Sequence, residues 1–94
     1  MLSIVIELPR NMLIATFHKK IRFDRKTFEF RFYRFNSLSM GKRFMIAAHH
    51  GEEHFVFHMK LENELWVIVD DVPIWVHDIQ GQLSDIIIRE MKKI

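Results

Sequence analysis

The stretch Thr27-Phe-Glu-Phe-Arg-Phe-Tyr-Arg-Phe35 decides the fold of this 94-residue chain. Its phenylalanines alternate with charged residues and a tyrosine, and a period of two is typical of a β-strand with one face in a core. We therefore predict a strand whose side chains at Phe28, Phe30 and Phe32 lie inside the molecule. The side chains between them lie outside.

The segments before and after this strand predict its partners. Alternation of apolar and polar residues predicts strands at 2–8, 13–23 and 42–49, and two more strands before residue 70. Lys19 breaks the pattern by falling on the inner side of the second predicted strand. An inward-pointing lysine is a known way to protect an exposed sheet edge, so we expect this strand near the margin of the sheet.

Three predicted turns set the register between neighbouring strands. They lie at 24–25, 51–52 and 62–63, and each brings apolar residues opposite each other. The predicted pairs are Ile21 with Phe28, Phe17 with Phe32, Ala48 with Phe55, Ile46 with Phe57, Phe44 with Met59, Met59 with Trp66, and Phe57 with Ile68.

The last quarter of the chain has a different period. Apolar residues recur at spacings of three and four from Val72 to Ile94, which predicts an amphipathic helix on the inner face of the sheet. Asp70 and Asp71 precede it as candidate N-caps. Gly81 marks a point where the helix would bend or break, but the apolar stripe keeps its phase there and favours one helix.

These elements together predict an α+β fold. It is an antiparallel meander of five or six strands with one C-terminal amphipathic helix packed on one face. A single domain covers residues 1–94, with the sheet in 12–70 and the helix in 72–94. Residues 1–11 are expected to form an extra N-terminal strand or an extension.

Composition excludes several classes of protein. The chain has no cysteine, which rules out disulfides and thiolate metal sites. The N-terminal run lacks a basic segment, is interrupted by Glu7 and is too short to span a bilayer. We therefore expect a soluble cytoplasmic protein that is not exported and has no membrane partner.

Charge is distributed unevenly along the chain. Between His18 and Arg43, nine lysines and arginines stand against two acidic residues, whereas between Phe44 and Ile94 four stand against nine. A basic half favours a polyanion or an acidic protein surface as a partner, or head-to-tail self-association. Solvation of the two surfaces is the simpler alternative.

Four short runs in the second half combine core residues with helix-start residues. They are Phe55-Val-Phe-His-Met-Lys60, Trp66-Val-Ile68, Pro73-Ile-Trp75 and Leu83-Ser84-Asp-Ile-Ile87. With these runs the chain resembles short single-domain bacterial proteins of unknown function over residues 17–90. The resemblance rests on no site motif and implies no functional residue.

Motifs for catalysis and metal binding are scarce. The predicted register sets His49 opposite His54, close enough for the two imidazoles to share a cation. These histidines are weak metal candidates because two ligands do not complete a site, and a solvated polar surface or pH sensing are the alternatives. No serine, glycine-rich or paired-carboxylate motif indicates a catalytic residue or a cofactor, so we expect no enzyme.

The outer face of the predicted sheet is the candidate partner-binding site. It carries a basic and aromatic group followed by an apolar group: Lys20, Arg22, Arg31, Tyr33 and Arg43, then Met45, Val56, Val67 and Val69. Apolar residues on a solvated face favour contact with a protein partner or a second copy of the chain. The predicted function is therefore a non-catalytic binding or regulatory module. Basic residues beside an aromatic ring favour single-stranded nucleic acid as the alternative.

Overall fold

The computed structural model describes residues 15–37 and 41–93 and has the predicted α+β architecture. Five antiparallel strands form one sheet in chain order, and a C-terminal helix in two segments covers one face. The elements are β1 (Phe17–Phe23), β2 (Lys26–Ser37), β3 (Gly41–His50), β4 (Glu53–Glu62), β5 (Leu65–Ile68), α1 (Ile74–Asp78) and α2 (Gln80–Met91). The predicted strand at 2–8 lies outside the described residues.

Two of the three predicted hairpin registers are confirmed. β1 pairs with β2 so that Ile21 faces Phe28, and β3 pairs with β4 so that Ile46 faces Phe57. Both residues of the first turn, 24–25, have positive φ angles of 51° and 66°. A two-residue type I′ turn needs this conformation, and it matches the twist of the strands that it joins.

The third hairpin differs from the prediction by one residue in its turn and by two residues in its register. The turn consists of Asn63 and Glu64, with φ angles of 52° and 69°, and Met59 pairs with Ile68 rather than with Trp66. Asparagine tolerates the left-handed conformation better than most residues, which favours a turn that begins there. Because the register shift is even, the inner residues of β5 stay on the inner face.

The core lies between the inner face of the sheet and the two helical segments. Its buried apolar side chains are Ile21, Phe28, Phe30, Phe32, Phe44, Ile46, Ala48, Phe57, Met59, Trp66, Val76, Leu83, Ile86 and Ile87. The predicted inner face and the apolar stripe of the helix are therefore confirmed. Neither helical segment of the described chain is long and apolar enough to cross a membrane.

The C-terminal helix breaks at Ile79, where the sequence favoured one continuous helix. The backbone of Ile79 has φ −102° and ψ 15°, which is not helical, and its N–H donates to the carbonyl of Val76 at 3.2 Å. The break lies two residues before Gly81. The stripe nevertheless keeps its phase, since Val76 and Leu83 on either side of the break are both fully buried.

Asp70 extends the pairing of β4 and β5 rather than capping a helix. Its Oδ2 atom accepts hydrogen bonds from the backbone N–H and from the Nδ1–H of His58, both at 2.7 Å. Helix α1 begins after Pro73, and neither helical segment has a side-chain cap at its N-terminus. The predicted N-cap role of Asp70 and Asp71 is therefore wrong. The carboxylate of Asp70 is bound to the backbone N–H of His58 instead of to a helix N-terminus.

The free edge of β5 is closed by side chains of α2. The N–H groups of Trp66 and Ile68 point away from β4, and they donate to Ser84 Oγ at 3.0 Å and to Gln80 Oε1 at 2.9 Å. Ser84 is only 2% exposed. An edge strand with unpaired N–H groups invites pairing with another chain, and here the helix satisfies both of these groups.

Candidate binding surface on the outer face of the sheet

The nine predicted partner-binding residues all lie on the outer face of the sheet, away from the helical segments. Strand pairing arranges most of them in rows that cross the sheet. The rows are Lys20, Glu29, His49 and His54; His18, Arg31, Ala47 and Val56; Tyr33, Met45, His58 and Val69; and Phe35, Arg43, Lys60 and Val67. Arg22 lies beyond the first row, beside Thr27.

Six apolar side chains form what we call the apolar strip, on the β3, β4 and β5 side of this face. They are Met45, Ala47, Val56, Leu65, Val67 and Val69. Val56 is 52% exposed, Leu65 57% and Val69 40%. A contiguous exposed apolar surface on a folded domain is typical of a contact site. On β4 the apolar strip is interrupted by His58 and Lys60, which lie beside Val69 and Val67.

We call four cations of the face the basic sector: Lys20, Arg22, Arg31 and Arg43. A fifth cation of the face, Lys60, lies between Arg43 and Val67. Lys20 and Arg22 are exposed, and neither forms an ion pair with another described residue. Arg43 is half-buried, and its Nε atom is buried without a hydrogen-bond partner in the described part of the chain. A buried donor without an acceptor is costly.

Glu29 lies in the middle of the basic sector and neutralises part of it. Its carboxylate is 3.0 Å from His49 Nε2, 3.3 Å from His18 Nδ1 and 3.5 Å from the guanidinium of Arg31. The hydrogen bond from His49, helped by the charge of Arg31 and opposed by partial desolvation, lowers the pKa of Glu29 below its usual value. The charge of Arg31 is therefore less available to a polyanion than the sequence indicates.

The two weak metal candidates face each other as predicted, but each ring has its own hydrogen-bond partner. His49 Nε2 contacts Glu29, whereas His54 Nδ1 lies 3.2 Å from the backbone carbonyl of Glu52. Within residues 15–37 and 41–93, no group of three such side chains is arranged so that it could hold a metal ion. The structure therefore adds no third ligand to this histidine pair.

The aromatic residues of the face lie between the two regions. Tyr33 pairs with Met45 of the apolar strip, and Phe35 pairs with Arg43 of the basic sector. The ring of Phe35 also meets His58 edge-on at 6.4 Å. Two rings beside an arginine are what stacking on unpaired bases would use, so the structure keeps the elements of the nucleic-acid alternative together.

An apolar cavity of about 500 Å³ lies on the inner side of the sheet, near the C-terminal end of α2. Its walls combine apolar and charged side chains: Phe44, Leu61, Trp66, Ile88, Met91, Arg34, Lys42, Lys92 and Glu64. The charged residues of these walls, Arg34, Lys42, Lys92 and Glu64, surround an apolar interior. A signal for the cavity was present in the sequence, since Arg34 and Lys42 occupy inner-face positions of β2 and β3.

Sequence reasoning missed the roles of Glu29, Ser84 and Gln80. Glu29 had a visible signal, because it is one of two acidic residues between His18 and Arg43. Ser84 and Gln80 had none, because a serine or a glutamine on a helix is ordinary. Their importance depends on the edge strand that packing brings beside them.

Comparison of the chain with protein-family models, with curated proteins and with solved structures found no match.

Proposed function

We propose that this protein is a non-catalytic binding module that engages another protein chain through the apolar strip, and that this other chain is a second copy of the protein. The observation that supports the proposal is the exposure of Val56, Leu65 and Val69 on one side of the outer face. On the opposite face most apolar side chains are buried under the helix, and Phe23 and Leu61 stay partly exposed. Burying the apolar strip removes its exposed apolar side chains from water.

The distribution of charge favours a two-fold arrangement of two copies. If the apolar strips of two sheets pack against each other, Val56 and Val67 of one copy meet the same residues of the other. Lys20 and Arg22 lie on β1, three strands from β4 and thus about 14 Å away. Lys20 and Arg22 of the two copies then point to opposite sides of the dimer, whereas Arg43 and Lys60 share a row with Val67 and border the contact.

In such a dimer the outer cations remain exposed and attract acidic partners. Lys20 and Arg22 stay in solvent, and Arg43 borders the contact with its unsatisfied Nε. Positive surface charge raises the rate of encounter with acidic molecules. We also propose a cytoplasmic location, because a chain without cysteine forms no disulfides and needs no oxidising compartment.

Single-stranded nucleic acid is the second candidate, favoured by the adjacency of Phe35 and Arg43. Glu29 weighs against it, because its carboxylate lies where a phosphate backbone would cross the basic sector. The two candidates respond differently to salt. Phosphate contacts weaken steeply as salt is added, whereas apolar contacts do not.

The test is the molar mass of the full chain in solution, measured by light scattering at low and high salt. We expect a dimer at both salt concentrations, and a monomer for Val56→Asp, because the substitution buries a charge in the contact. Thr27→Asp is the matched control, since Thr27 is exposed on the same face outside the apolar strip. A wild-type chain that stays monomeric at about 100 μM would contradict the proposal.

The same samples decide between the two candidates when a single-stranded oligonucleotide is added. A rise in molar mass that disappears at high salt and in Arg31→Glu would support nucleic-acid binding. An unchanged molar mass with the oligonucleotide, together with a dimer that depends on Val56, would support the protein contact.

A further inference from the structure

Among the residues that the structure describes, nothing pairs with the outer edge of β1, unlike the edge at β5. Phe23 and Lys26 close the two-residue turn, and such a closing pair exchanges both of its backbone hydrogen bonds. The alternation of bonds along the strand then turns the N–H and C=O groups of His18, Lys20 and Arg22 away from β2. In the described part of the chain, β1 has no strand on that side. The open edge is roughly 14 Å long.

A groove of about 580 Å³ runs beside this edge, between β1 and α2. Its walls are Lys19, Lys20 and Ile21 from β1, and Gln82, Asp85, Ile86 and Arg89 from α2. Ile21 is 6% exposed and Ile86 is 9% exposed, so the floor of the groove is apolar. A strand edge that faces a helix across a groove is the geometry in which an extended peptide adds to a sheet.

We propose that this groove binds an extended acidic segment of a partner protein as a sixth strand on β1. The backbone groups of His18, Lys20 and Arg22 would pair with the peptide backbone. The inner side chains of the peptide would enter the groove over Ile21 and Ile86, and its outer side chains would lie beside Lys20 and Arg22.

Charge determines the composition of the segment. Lys20, Arg22 and Arg89 are exposed cations around the groove, and Asp85 is the one acidic residue in its described walls. Lys19 is already paired with Glu90 of α2 at 2.9 Å. Outer positions of the added strand therefore favour aspartate or glutamate, and the inner position opposite Ile21 favours an apolar residue. The resulting pattern is acidic, apolar, acidic.

A second copy of the chain fits this edge poorly. If two β1 strands paired with each other, Lys20 and Arg22 of one copy would lie opposite Lys20, Arg22 or His18 of the other. Like charges directly opposite each other destabilise a strand pair. The edge therefore differs from the apolar strip in its preferred occupant, and the inference does not depend on the proposed dimer.

The test uses the full chain and a synthetic peptide of alternating aspartate and valine. Binding is measured by fluorescence anisotropy, and amide hydrogen exchange is followed by NMR. We expect the peptide to slow exchange at His18, Lys20 and Arg22. Exchange at Trp66 and Ile68 should not change, because α2 already accepts their hydrogen bonds.

Charge variants and a control peptide show whether the binding is specific. Lys20→Glu combined with Arg22→Glu should weaken binding about tenfold or more. Lys42→Glu combined with Lys60→Glu makes the same change in net charge on β3 and β4, at least two strands away from β1, and it should have little effect. A peptide with the same residues in two blocks cannot alternate its side chains between the two faces, so it should bind more weakly.

Three results would overturn the inference. The first is equal binding of the alternating and block peptides, which would indicate attraction of charge without strand pairing. The second is protection of the His18, Lys20 and Arg22 amides in the free chain at every protein concentration, which would mean that the chain already covers this edge. The third is protection that increases with protein concentration, which would identify a second copy as the occupant.

Discussion

The two edge strands of the sheet, β1 and β5, differ in what pairs with their outward-facing backbone groups. At β5, the buried Ser84 and the half-buried Gln80 accept the two outward N–H groups, so this edge is closed by side chains twelve or more residues away in the chain. At β1, the described chain supplies no acceptor for the backbone, and the edge carries His18, Lys20 and Arg22 on its outer side. A closed edge resists the addition of a further strand. At an open edge that carries charged side chains, those charges determine which strands can pair with it.

The comparison shows that one helix has two roles. Its first turns lie beside β5 and close that edge, and its later residues Ile86 and Arg89 form the far wall of the groove beside β1. Lys19 and Glu90 connect the open edge to the same helix. Substitutions in α2 and at its contacts should therefore separate the closing role from the groove.

The largest effect is expected for Leu83→Ala, which removes a fully buried anchor of α2. The cavity left behind should lower the free energy of unfolding by about 2 to 5 kcal/mol, measured by urea denaturation. Gln82→Ala is the control, because Gln82 is the exposed neighbour in the same helix and should change stability by about 0.5 kcal/mol or less. Equal effects of the two substitutions would show that α2 does not hold the closed edge.

A smaller effect is expected for Ser84→Ala. The substitution removes the acceptor of the buried Trp66 N–H and should cost about 1 to 3 kcal/mol. It should also speed hydrogen exchange at Trp66, and leave Lys20 on the open edge unchanged. The exposed neighbour Asp85 serves as the control, since Asp85→Ala removes no acceptor from the strand edge. Unchanged exchange at Trp66 would contradict closure by the serine.

The smallest effect is expected for Lys19→Met at the open edge, and it should be visible mainly in acid. The hydrogen bonds that Lys19 and then Lys93 donate lower the pKa of Glu90. A lowered folded-state pKa adds stability above the ordinary glutamate pKa of about 4.3, and this stability is lost as the pH falls through the folded-state pKa. Lys19→Met should therefore weaken the dependence of stability on pH in this acidic range.

The measurement for this last substitution is the urea midpoint at a series of pH values from neutral to acidic. Lys93→Met is the matched control, because Lys93 lies 3.2 Å from the same carboxylate but does not contact β1. We expect the larger loss of pH dependence for Lys19→Met. The opposite order would mean that Glu90 is held by the helix end and not by the open edge.

Much of the sheet was predictable because its signals are local. The alternation around Phe30 assigned one face to the core, and the residues at 24–25 supplied a two-residue turn whose register followed directly. The turn after β4 was placed one residue too early, since Glu62, Asn63 and Glu64 are all acceptable turn residues. The pairing of β4 with β5 determines which two of these residues form the turn.

The candidate site was predictable as a face but not as a set of contacts. The alternation of side chains along each strand was enough to predict that Val56 and Lys20 lie on the outer face. It did not reveal that Glu29 joins His18, His49 and Arg31, because those side chains come from three strands and meet only after the sheet has formed.

By itself, the sequence determined the fold class, the inner and outer faces and the uneven distribution of charge, because each of these follows from the order of side chains along the backbone. Only the tertiary structure decided which edge of the sheet is closed, where the helix breaks and which carboxylates are taken by neighbouring groups. These features depend on distances of about 3 Å between residues far apart in the chain. Such distances are set by packing, and a periodic pattern carries no information about them.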